Sequence, residues 1–259
     1  MKNHKLLLPV AVAAAAAAAL LSVFMTLSYL TDTEVADNKI TIGSVALEIH
    51  EGDYEDSQKI AAGGSLPKAP SIENTGKNDE YVFIEVSVPK KEVTLLYEED
   101  DENNHKTGQK IQDEASVAEI FKMIAEGTNT DNITGNDPPE YVFSYNKGDA
   151  GNNKEGWVFL SGSTDRTGSA ANKYYFGYNK KLVAGSSTDN RTITLFDKVT
   201  LKSFIEQELG IGNVNVQIGI RAFGIQADEL GVDGLDSELL SDTTVGKLYE
   251  IVERKQGAA

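Results

Sequence analysis

The chain has 259 residues, no cysteine, and a formal net charge of −16 from 24 basic and 40 acidic side chains. Without cysteine it has no disulfide framework, so core packing, strand pairing or a partner must hold it together. The acidic balance argues against nucleic acid as a partner, because phosphate backbones are held by clustered Lys and Arg.

The amino end places Lys2 and Lys5 ahead of an uncharged, alanine-rich run from Leu6 to Leu30, with the small residues Thr26 and Ser28 near its end. A basic start, an apolar middle and small residues at the −3 and −1 places read as a secretory signal, cleaved after Ser28 to leave Tyr29 first. The run is also long enough for a retained anchor, which is the competing reading. The acidic TDTE that follows favours cleavage. Removal of residues 1–28 leaves 22 basic against 40 acidic side chains, a net −18, and such a charge keeps an exported protein in solution. Cysteine-free export suits a bacterial cell surface, where the sequons at Asn132 and Asn190 carry no meaning.

Residues 29–51, YLTDTEVADNKITIGSVALEIHE, change hydrophobic phase partway. Ile40 and Ile42 face one side, and Val45, Leu47 and Ile49 the other. Gly43 absorbs the inversion in one of two ways: as a β-bulge within a single edge strand, or with Ser44 as a hinge between an amino-terminal strand and the first strand of the domain. Farther on, YVFIEVSVP sets Val82, Ile84, Val86 and Val88 against Tyr81, Phe83, Glu85 and Ser87, with Pro89 expected to close the strand. The acidic EEDDENN and the turn-rich GTNTDNITGNDPPE mark a decorated insertion at about 98–140.

Within that insertion, ASVAEIFKMIAEG predicts a helix. Ser116 and Glu119 have capping-box spacing, Val117, Ile120, Phe121 and Ile124 share a face, and Gly127 stops it. EYVFSYNKGDAGNNKEGWVFLSG predicts a hairpin, with a strand at Tyr141–Tyr145, a polar loop and a return through Trp157 and Phe159. KYYFGYNKKLVAG and RTITLFDKV add strands. TLKSFIEQELG predicts a second helix through Leu201, Phe204, Ile205 and Leu209. NVNVQIGIRAFGIQA at 213–227 predicts a long strand with Val214, Val216, Ile218 and Ile220 on one face. Val245, Leu248, Tyr249 and Val252 predict a last helix. Short strands with Gly/Asn/Asp turns and helices in the connections give the expected fold class: mainly β, an antiparallel jelly-roll sandwich with a few short helices. The expected domains are a signal at 1–28, an amino-terminal segment at 29–43, a sandwich at 44–230 and a carboxy-terminal helical segment at 231–259.

Catalytic patterns are scarce. His50 and His105 lie in no HExxH pair, no cysteine can act as nucleophile, and neither GxSxG nor GxxxxGK[ST] occurs. Oxygen-rich loops offer weak calcium candidates at Asp100, Asp101 and Asp149, although none has the full EF-hand spacing, and solvated acidic turns are the simpler explanation. No other cofactor is expected.

The alanine-rich signal, then YLTDTEVADNKITIGSVALEI, then IAAGGSLPKAPSIENTGKNDEYVFIEVSVP, together resemble the TasA/camelysin family of secreted, fibre-forming biofilm matrix proteins of Gram-positive bacteria. The matching positions are Tyr29 and Leu30, Asp32 to Glu34, Ile40 to Leu47, Gly64, and Asn74 to Gly76. VQIGIRAFGIQA agrees in kind, while residues 98–156 have no counterpart. The resemblance implies a structural subunit rather than an enzyme, processed by a dedicated signal peptidase and touching the membrane only through an uncleaved signal. It further implies a head-to-tail polymer of identical copies. Tyr29, Leu30, Val35, Ile40 and Ile42 would form a donor strand that completes the sheet of the next copy, with Gly43 and Ser44 as its hinge and other matrix proteins as candidate partners. Part of the family is described as metalloendopeptidase, which makes a secreted endopeptidase the alternative. A monomeric surface adhesin using Tyr174, Tyr175, Phe176 and Tyr178 is the third reading, though sheet packing explains that cluster more simply.

Overall fold

The computed structural model describes residues 40–42, 46–52, 60–100, 103–134, 141–162, 170–205, 217–228 and 230–256. All of them belong to one compact unit, Ile40–Ala259. The chain is mainly β. Its described strands are β1 (Ile40–Ile42), β2 (Leu47–His50), β3 (Ser65–Pro67), β4 (Ser71–Asn74), β5 (Glu80–Val93), β6 (Ser116–Glu119), β7 (Phe121–Ile124), β8 (Thr130–Thr134), β9 (Tyr141–Asn146), β10 (Trp157–Gly162), β11 (Ala171–Tyr178), β12 (Lys198–Leu201) and β13 (Gly219–Gln226). One helix, α1 (Asp242–Gln256), closes the described chain. No helix among the described residues is long and apolar enough to cross a membrane.

A six-stranded sheet runs β1-β13-β5-β11-β10, with β6 also paired to β5. A five-stranded sheet runs β3-β12-β7-β9-β8, and β2 and β4 form a small sheet of their own. The alternation in β5 explains how these layers stack. Val82, Ile84, Val86 and Val88 join Met123, Phe143, Tyr145 and Val199 of the five-stranded sheet in one core. Rings cross between the sheets, with Phe143 and Phe176 centred 4.9 Å apart. Tyr81 and Phe83, on the opposite face, pack with Phe223 and Ile225 under Leu240, Val245, Leu248, Tyr249 and Val252. The predicted helical stripe of α1 is therefore the buried one, and the Thr244 amide donates to Ser241 Oγ at 3.2 Å, capping its start.

Several expectations are overturned. The segment 116–127 is not a helix but β6 and β7, and β7 is an interior strand between β12 and β9. Ala118, Ile120, Phe121 and Met123 are the buried apolar residues, and Val117 is exposed. Two short strands that change phase at Ile120 space their apolar residues much as a helix would, and Ser116 and Glu119 mimic a capping box by coincidence. The proposed helix at 200–210 likewise gives way where it is described. Thr200 and Leu201 end β12, and Phe204 bridges to Leu95. Leu209 lies outside the described residues, as do Val214 and Val216.

β9 and β10 do not form a hairpin, because they lie in different sheets. Alternation shows that each segment is a strand without showing its partner. Residues 192–197 are not strand either, and only Lys198 and Val199 of RTITLFDKV belong to one, β12. Pro89 does not end β5, which continues to Val93 while β6 takes up pairing from Lys90 onward. The segment read as an insertion thus supplies β6, β7 and β8.

Close approach of α1 to the sheet is set at Gly177, where a Cβ would overlap Val245 Cγ1 and come within 3.0 Å of the Phe83 ring. Gly177→Ala is expected to lower stability by about 1–3 kcal/mol through overpacking, read from the urea midpoint at unchanged slope.

Candidate assembly edge

β1 pairs in parallel with β13, in the register Ile40 to Phe223, Thr41 to Gly224 and Ile42 to Ile225. Every other pair on the main path of that sheet is antiparallel. β1 covers three residues of the eight in β13 and forms the sheet's edge. Downstream, β2 leaves for a different sheet and pairs antiparallel with β4, Leu47 opposite Asn74. Ile40–Ile42 and Leu47–His50 are thus two strands in two sheets, not one edge strand carrying a bulge. The predicted hinge, Gly43 and Ser44, lies outside the described residues, as do Ser28, Tyr29, Leu30 and Val35.

The point where the chain enters the domain is tightly held. The Ala46 carbonyl accepts from the Thr75 amide at 3.0 Å and from Thr75 Oγ1 at 3.2 Å. The Ala46 amide donates to Glu80 Oε1 at 3.3 Å. The turn opposite is built by Asn74, whose Oδ1 accepts from the Gly76 amide at 2.8 Å and whose Nδ2 donates to the carbonyls of Asn78 and Leu182. A Cβ on Gly76 would lie 2.9 Å from Glu80 Oε1 and 3.3 Å from the Ala46 nitrogen. The Asn-x-Gly pattern read in the sequence is therefore the socket for this root, with glycine required by proximity.

Glu80 is the residue that sequence reading missed. It is fully buried, and its Oε2 has no hydrogen-bond partner among the described residues. Burial pushes its carboxyl up to about 7, outweighing the Ala46 amide, which favours the charged form. Nothing in the sequence distinguishes it from the solvated glutamates around it.

The other candidates are engaged locally. Asp100 accepts from Lys106 Nζ at 2.9 Å and from the Thr107 amide at 2.9 Å. Asp149 accepts from the Asn152 side chain at 2.6 Å, which holds its carboxyl below the usual range. Asp101 lies outside the described residues. His50 Nε2 meets Glu73 Oε2 at 2.9 Å, and His105 stacks on Tyr97 at 4.3 Å. No group of three or more His, Cys, Asp or Glu is placed to hold a metal among the described residues. Tyr174, Phe176 and Tyr178 are core, and Tyr175 lies against Tyr249 of α1, so this run offers no aromatic binding face. A polar cleft of about 700 Å³ beside β9 is lined by Asn129, Asn146, Lys147, Thr194 and Asp197 among others. Within it Lys147 pairs with Asp131 at 2.8 Å, and Asp197 accepts from Thr194 Oγ1 at 2.9 Å.

Because burial raises the Glu80 carboxyl in the fold, its contribution to stability is fully present below the ordinary value of 4.5 and is lost as pH rises through about 7. The expected loss is on the order of 3 kcal/mol, measured by denaturant melts from pH 4 to 8. Glu80→Gln is expected to flatten that profile.

Comparisons with protein-family models, with curated proteins and with solved structures find no match for this chain.

Proposed function

We propose that the chain is a secreted structural protein of the extracellular matrix or cell surface, a jelly-roll subunit of the TasA/camelysin kind that assembles head to tail by strand donation. The observation that carries this reading is β1: a three-residue strand laid in parallel on the edge of an otherwise antiparallel path, joined to a chain that then enters a different sheet. The edge of a strand so placed offers backbone hydrogen bonds to any equivalent segment.

Exchange between identical copies replaces each cis contact with the same contact in trans, so its free-energy cost is chiefly the entropy of association. The pinned root at Ala46 lets the segment upstream of it change partner while the domain stays folded. The uncharged amino-terminal run would tether that segment until cleavage after Ser28 frees it. An offset head-to-tail contact does not close, so it yields a filament. The strong negative charge would keep free subunits apart, and screening by salt would favour assembly.

Electron microscopy of the protein beginning at Tyr29, beside a version lacking residues 29–42, tests this reading. Filaments are expected from the first, promoted by salt and by seeds, and only monomers from the second. Monomers from both under all these conditions would overturn it.

A further inference from the structure

Toward the far end of β5, four polar side chains on neighbouring strands are buried. Lys90 is 6 % exposed, Glu119 3 %, Asn172 7 % and Tyr174 1 %. Burying such groups is costly unless they serve one another. Lys90 lies directly opposite Glu119 in the β5–β6 pair. Asn172 lies opposite Val88 in the β5–β11 pair, and the Lys90 amide donates to the Ala170 carbonyl at 2.9 Å. Lys90 and Asn172 are therefore diagonal neighbours on adjacent strands, two residues apart in register and on the same face, a separation that a long side chain spans. Glu119 Oε1 accepts from Asn172 Nδ2 at 2.5 Å and from the Tyr174 hydroxyl at 2.5 Å. Asn172 Oδ1 accepts no hydrogen bond among the described residues.

A buried amine, a carboxamide and a carboxyl group touching that amide, all shielded from water, are the parts needed for an amide exchange. We propose that Lys90 and Asn172 join in an intramolecular isopeptide bond, with Glu119 as the catalytic acid and base. In this step the neutral Lys90 amine attacks Asn172 Cγ, forming the Nζ–Cγ bond. Glu119 takes a proton from Nζ and delivers it to Nδ2, on which it already sits, and the Cγ–Nδ2 bond breaks to release ammonia. Glu119 is regenerated, no oxidant is consumed, and atoms balance as amine plus primary amide giving secondary amide plus ammonia. The Tyr174 hydroxyl donates to Glu119 Oε1 and fixes the carboxyl in place. Apolar surroundings exclude the water that would compete for the carbonyl.

The product would lock β5 to β11, adjacent strands of the six-stranded sheet, and would constrain the unfolded chain as a disulfide does in proteins that have cysteine. It does not depend on strand donation and would form in a monomer.

Mass spectrometry of the purified, folded full chain tests the proposal. A mass lower than the sequence mass by one ammonia is expected, and proteolysis is expected to yield a branched peptide joining the segments that contain Lys90 and Asn172. Lys90→Arg, Asn172→Ala and Glu119→Gln are each expected to restore the missing mass and abolish the branch. Recovery of separate, unmodified Lys90 and Asn172 peptides from folded wild-type protein would overturn the proposal, whatever the variants do. So would an ammonia loss that persists in Lys90→Arg.

Discussion

β5 is buried along both faces, and the rest of the domain is arranged around that requirement. From Glu80 to Lys90 only Ser87 escapes burial. The even residues need one apolar layer and the odd residues another, so a second sheet covers one side and α1 the other. Hydrogen-bonding capacity is met laterally by β13 and β11. Because β13 already flanks β5, its outer side becomes the sheet edge, and there the amino-terminal segment lands. The hydrophobic term that drives burial of β5 thereby also decides where β1 can sit.

The same strand carries three buried charged residues, each at a place where something besides packing happens. Glu80 opens it and grips the root at Ala46. Glu85, near its middle on the α1 side, is met by Lys173 at 3.1 Å and Arg221 at 3.6 Å, reached from the strands on either side. Lys90, near its end, faces Glu119 across the sheet. A core strand made for stability alone would hold apolar residues at these positions, because desolvating charge costs more than such pairs usually return. Glu85 is a structural pair linking three strands. Glu80 and Lys90 mark the two ends at which the domain meets its amino-terminal segment and its candidate cross-link.

The sequence by itself determined the mainly β class, the two-faced alternation of β5, the buried stripe of α1 and the phase break between Ile42 and Leu47. Each of these rests on local spacing, which a chain displays without its partners. It misled where two short strands with a change of phase imitate a helix, as at Ser116–Ile124, and where adjacent strands such as β9 and β10 read as a hairpin. Only the tertiary structure decided which strands pair, that the phase break separates two sheets, and which of many acidic residues are buried. Pairing and burial depend on residues far apart in the chain: Glu80 gains its role from Ala46, and Lys90 from Glu119 and Asn172. No pattern local to any one of them records that meeting.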